Sequence, residues 1–159
     1  GSGFAKILPR IASIRTSISS PGFIGPMPAE KVLALLASSV QTCGRFGALM
    51  QSGLRVTYQR DCEKAGSDVD FKAKLLRVET LQGEEIMDAR KGVMPPAGRT
   101  FMVATLDFLS VGGSGFGEFK GTHILSDIGI VREAMVDFYL KNPRQFSSQV
   151  DGRWAELKP

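Results

Sequence analysis

The chain has 159 residues, 43% of them apolar and 23% charged, the balance of one soluble globular domain long enough to bury a core. Twenty Lys and Arg against sixteen Asp and Glu leave a net charge of +4, and the positive side chains (Lys6, Arg10, Arg45, Arg55, Arg60, Lys72) are scattered rather than massed, which speaks against nucleic acid as a partner. No apolar run approaches the roughly 20 residues of a membrane span, and no charged start leads into an apolar signal segment.

The opening Gly1-Ser2-Gly3 lacks an initiator Met, so residues 1–6 are expected to be a remnant of cloning or of a linker, and the remainder, 7–159, one excised domain. Residues 7–18 place β-branched residues between polar ones after Pro9 and predict a strand. Ser19-Ser20-Pro21-Gly22 has the residue types of a turn, and Gly25-Pro26 repeats the signal. From 28 to 43 the period changes: Val32, Leu35, Leu36, Ser39 and Val40 recur at helical spacing, with Pro28 suited to the first turn and Gly44 to the position past the end.

Leu54, Val56 and Tyr58 alternate with Arg55 and Thr57, and the run 71–80 is rich enough in Leu and Val to pair with them as a neighbouring strand. Ile86-Met87 predicts a short strand that residues 93–98 cannot continue. The nearly unbroken apolar run 100–106 predicts a central strand covered on both faces. A glycine-rich loop spans 112–121. A last helix is expected over 128–141, starting after Ser126-Asp127, carrying Val131, Met135 and Phe138 on one stripe, and stopping at Asn142-Pro143. Trp154 is expected to anchor the tail, and Met94, Met102 and Met135 to fill the core. The sum is a single α+β domain with a mixed, largely antiparallel sheet and two main helices.

The chemistry available is narrow. With one histidine, His123, and no Cys-x-x-Cys pair, a zinc site of ordinary ligand spacing is not expected, and His123 has no neighbouring carboxylate to make it catalytic. Cys43 and Cys62 either close a disulfide worth about 3 kcal/mol in an oxidising compartment or remain two unpaired thiols. Arg45 and Arg55 sit in no glycine loop and suit solvated or interface charges. The unusual stretch is 105–116, Thr-Leu-Asp-Phe-Leu-Ser-Val-Gly-Gly-Ser-Gly-Phe. Phe108 and Asp107 stand at a strand end, and Gly112-Gly113 permits positive φ and close approach of another group. It lacks the Lys-Ser/Thr of a phosphate loop and the spacing of a dinucleotide fingerprint. Phe108 itself suits either a core plug or a ligand platform.

This stretch resembles the Asn-Asp-Phe-Leu-Ala-x-Gly-Gly-Asp-Gly-Tyr signature of the C-terminal domain of 5'-nucleotidases, the family that includes UDP-sugar hydrolases and ecto-nucleotidases. Other segments are similar in the same order: Ile7-Leu8-Pro9 to Leu-Pro-Phe-Gly-Asn, residues 28–40 to the family's Thr-Gly-x-x-Leu helix and Ser-Val pair, and Gly44-Arg45-Phe46 with residues 52–58 to Gly-Arg-Phe-x-Gln-Val-Ser-Gly-Leu-Arg-x-Thr-Tyr. The resemblance runs over about 7–141. It implies a substrate-recognition domain that works beside an N-terminal domain carrying two divalent metals, in the periplasm or at the cell surface. It also implies a nucleotide or nucleoside as ligand, its base held between two phenylalanines and its ribose by the signature Asp. By the same resemblance Phe108 is one clamp ring, Arg10 stands at the other, Gly112 and Gly113 keep the turn, and Ser114 stands at the ribose carboxylate. The Asn-x-Gly-x-x-Arg segment that meets the phosphate has no match here. An Arg plane can replace a stacking ring, but Ser in place of a carboxylate gives up a charge-assisted bond, so affinity is expected to be weak. No catalytic residue, metal ligand or cofactor is expected within the domain. The rival reading is an interaction or structural module that keeps the fold without the ligand site.

Overall fold

The computed structural model describes residues 21–41, 49–60, 73–143 and 150–157. The predicted strand over 7–18 lies outside them, as do Arg10, Cys43, Cys62 and Arg45. The class is α+β, with the strands divided between two sheets. One has three strands in the order β5-β1-β6, the other four in the order β4-β3-β2-β7.

Strand β1 (Pro21–Pro28) occupies the middle of the three-stranded sheet, where residue types predict turns. The prolines fit because of which way they face. Ile24 turns its carbonyl toward the β6 side, where it accepts the Leu125 N–H at 2.8 Å. By the alternation of a strand, Pro26 and Pro28 turn the same way. Pairing with β6 (Ser126–Ile130) stops at Ile24, so the donors that Pro26 and Pro28 lack face a side where no strand among the described residues pairs. On the other side β1 runs antiparallel to β5 (Thr100–Leu106) from Gly22 to Pro28 without a register shift. Gly25 is required for space rather than for φ, because a Cβ there would run into the backbone carbonyl of His123. His123 is exposed, and its backbone forms this close approach.

Helix α1 (Ala29–Val40) begins directly after Pro28 and buries Val32, Leu33, Leu35, Leu36 and Val40, matching the helical period of the sequence. It touches β1 and β5 of one sheet and β3 of the other, so a single helix joins the two sheets into one core. Strands β2 (Leu54–Gln59) and β3 (Lys74–Thr80) pair antiparallel, and β4 (Glu85–Asp88) extends the sheet, burying Val56, Val78, Ile86 and Met87 against α1. Arg55 is exposed on β2. Strand β7 (Trp154–Leu157) adds in parallel to β2, and Trp154 meets Tyr58 edge-on at 5.8 Å, the expected anchor of the tail. The Tyr58 hydroxyl and the Arg60 Nε both donate to Glu156 Oε2, at 3.1 and 3.0 Å. The Arg60 guanidinium holds the Glu156 carboxyl below the usual glutamate range.

Three expectations are corrected. Strand β5 lies at an edge of its sheet among the described strands rather than at its centre, and Met102 on it is 58% exposed. The core methionines are Met27 and Met87, while Met94 and Met135 are exposed like Met102. The last helix, α3 (Val131–Lys141), begins three residues later than predicted. Asp127 does not cap it; its Oδ1 accepts the Gly129 N–H at 2.7 Å, and Gly129 turns through a φ of 75° within β6. None of the helix's described side chains is buried, Met135 is exposed, and the main described neighbour of α3 is the β6 strand that leads into it.

Among the described residues, no helix is long and apolar enough to cross a membrane.

Candidate functional site

The glycine-rich stretch leaves β5 through α2 (Asp107–Ser110), a single helical turn rather than a strand end. Asp107 is an acceptor inside it: its carbonyl accepts the Ser110 hydroxyl at 2.7 Å and its Oδ1 the Phe108 N–H at 2.6 Å. Leu109, on the opposite side of the turn, is 3% exposed and enters the core, which points Phe108 outward at 48% exposure.

The chain then passes Gly112 at a φ of 87° and makes two 3₁₀ turns, Gly113–Gly115 and Gly117–Phe119. Phe116 and Phe119 hold this loop to the core at 4% and 3% exposure, the second turn packing on α1. They are the residues that sequence reasoning missed. Two aromatics three positions apart within a glycine run were the available signal, since a free loop has no use for them.

Phe108, Gly112, Gly113 and Ser114 come together at this turn. The Phe108 ring lies on Gly113 so closely that a Cβ there would stand 2.5 Å from ring atom Cε1 and collide with the Phe108 carbonyl. A Cβ on Gly112 would stand 2.6 Å from Lys120 Cε. Gly113 is therefore a seat for the ring, whereas Gly112 is favoured by its φ of 87° and lies against the flexible Lys120 side chain. One part of the ring rests on backbone and the rest meets solvent. The ring is therefore not a core plug. Ser114 is exposed and held at a φ of 56°, the only non-glycine with positive φ among the described residues. For Ser this conformation costs about 1–2 kcal/mol, an outlay that Gly avoids while giving up about 0.5–1 kcal/mol in the unfolded chain. Ser114→Gly is thus expected to raise stability by about 0.5–1 kcal/mol, measured from the urea midpoint; a loss of stability would show that Ser114 holds the turn by its side chain.

Two concavities of the described residues are lined by none of Phe108, Gly112, Gly113 and Ser114. One of about 180 Å³ is bordered by Met50, Val150 and Trp154, and one of about 10 Å³ lies under β1. Among the described residues, no group of three or more His, Cys, Asp or Glu side chains is arranged to hold a metal.

Comparison with solved structures now has a geometry to meet. The chain superposes on the 5'-nucleotidase precursor of Thermus thermophilus with a TM-score of 0.61, at 23% identity over 87% of its own length and 25% of that chain. It superposes on the NAD nucleotidase of Haemophilus influenzae with a TM-score of 0.58, at 16% identity over 89% of its length and 25% of that chain. The fold is one found in 5'-nucleotidases. The chain spans about a quarter of the length of these proteins. No family model matches it, and no curated protein matches it by sequence.

Proposed function

We propose that the chain is the nucleotide-recognition domain of a 5'-nucleotidase-like metallophosphoesterase, serving nucleotide breakdown in the periplasm or outside the cell and not hydrolytic by itself. The observation that carries this reading is the half-exposed Phe108 ring seated on the Gly113 backbone, at the turn that resembles the family's base-binding signature. A base stacks on such a ring for about 1–3 kcal/mol, and Arg10, which lies outside the described residues, is proposed to face it across about 7 Å, the space of one base between two planes. Hydrolysis is assigned to a partner domain bearing divalent metals, because a two-metal centre requires a cluster of Asp, His and Asn ligands and this chain has one histidine.

The purified domain with AMP and added divalent metal is accordingly expected to release no phosphate above a buffer blank. Turnover that a chelator abolishes would end this assignment.

Ser114 supports a weak ligand. With a hydroxyl where the resembling family has a carboxylate, the ribose hydroxyls lose a charge-assisted acceptor, and Ser114→Asp is expected to tighten AMP binding about tenfold. Calorimetry reads this directly, and an unchanged or weaker affinity would remove Ser114 from the ribose site.

The second reading, an interaction module without a ligand, is favoured by the same Ser114 and by the exposed apolar side chains of α3, Met135, Val136 and Leu140. Calorimetry with AMP, adenosine and a UDP-sugar separates the two: silence with all three supports the module.

A further inference from the structure

Two side chains rest on the Gly112-Gly113 step. The Phe108 ring lies on Gly113, and the stem of Lys120 runs across Gly112, its Cγ, Cδ and Cε at 3.3, 3.4 and 2.6 Å from the place a Cβ of Gly112 would take. Consecutive Cα atoms are about 3.8 Å apart, so the Lys120 ammonium, one bond beyond Cε, lies within roughly 13 Å of the ring edge whichever way that bond turns. A nucleoside monophosphate with its base on the ring carries its phosphate into this range.

Lys120 is exposed, and a second ammonium stands beside its backbone: Lys31 of α1 donates from Nζ to the Lys120 carbonyl at 3.2 Å. Among the described residues neither lysine forms an ion pair. The acidic side chains of the loop are engaged elsewhere. Glu118 Oε1 accepts the Ser38 hydroxyl of α1 at 3.4 Å, and Asp107 Oδ1 accepts the Phe108 N–H at 2.6 Å. Two like charges held at one loop exit repel each other, and an anion placed there relieves the repulsion.

We infer that Lys120 is the residue by which this site prefers a phosphorylated nucleoside to a free one, its ammonium meeting the phosphate of a nucleotide stacked on Phe108. The inference rests on the proposed function and adds to it a source of selectivity. A lysine suits the task, because a point charge on a flexible stem meets a phosphate oxygen without the fixed fork geometry of an arginine. Lys31 supports it by holding the backbone from which Lys120 departs. The ammonium is exposed, so its contribution is modest and weakens with salt.

Calorimetry of the whole chain with AMP and with adenosine at low salt tests this in the wild type, Lys120→Gln and Lys120→Arg. The wild type is expected to bind AMP about fivefold more tightly than adenosine, an advantage that shrinks as salt is added. Lys120→Gln is expected to bring AMP within about twofold of adenosine while leaving adenosine unchanged, and Lys120→Arg to keep the preference. An AMP preference that persists in Lys120→Gln, or adenosine bound as tightly as AMP by the wild type, overturns the inference and leaves the proposed function standing. Silence of the wild type with both ligands overturns the two together. The wild-type comparison and its salt dependence decide the matter even if a variant does not fold.

Discussion

Phe119→Ala is expected to lower stability by about 3–5 kcal/mol, the cost of removing a buried ring and leaving the cavity. Phe119 is 3% exposed and belongs to the same core cluster as Leu33, Leu36 and Val78. That position makes it more than a loop residue. It lies in the second 3₁₀ turn where the glycine run packs on α1, and α1 is the one described helix that joins the two sheets. The substitution therefore strikes the joint of the fold and frees the loop exit at once. Urea denaturation followed by circular dichroism measures it. A loss below about 1 kcal/mol would mean that the glycine run is a surface loop with no hold on the core, and the account of the loop as a fixed platform would fall with it.

Gly25→Ala is expected to cost about 3 kcal/mol through overpacking of a site closed by backbone. Gly25 has no positive φ, so the argument is one of space alone. The new Cβ would meet the His123 carbonyl, with the carbonyl carbon at 3.0 Å, and neither atom belongs to a side chain that can swing away. Relief requires β1 or the 122–125 segment to move, and β1 is the middle strand of its sheet. Gly117→Ala is the control. A Cβ there meets nothing within 4 Å and φ is not positive, so the change is expected within about 0.5 kcal/mol of wild type. Equal effects at the two glycines, read from their denaturant midpoints, would refute the close approach.

The parts of this fold legible in the sequence are those decided locally. The apolar positions of α1 recur at the helical period and end up buried; Val56 and Val78 sit on alternating strands whose pairing follows from their pattern. β1 was not legible. Its prolines and glycines carry turn propensity, and a strand is acceptable there because Pro26 and Pro28 face a side where no strand among the described residues pairs. The run Thr100–Leu106 shows why apolar content does not place a strand: which of its sides is covered depends on elements distant in sequence, and among the described strands β5 lies at an edge with Met102 in solvent. Asp127 looked like a helix cap because its residue type serves caps and turns alike, and the Gly129 N–H claimed its side chain first.

At the candidate site the Gly112-Gly113 step and Phe108 were legible, since a pair of glycines after an aromatic announces a close approach. The direction of the ring was not. It follows from Leu109 and Phe119 filling the core on the other side, a three-dimensional competition that no sequence period records.

The central claim is that Phe108 is a platform for a nucleotide base, and isothermal calorimetry of AMP with the wild-type domain and with Phe108→Ala tests it most directly. The ring is 48% exposed, so the variant is expected to lose only about 1 kcal/mol of stability, far less than a buried phenylalanine, and to remain folded. The account predicts millimolar or better binding by the wild type and its loss in Phe108→Ala. Binding that survives the substitution, or no heat from the wild type with AMP or adenosine, would contradict it.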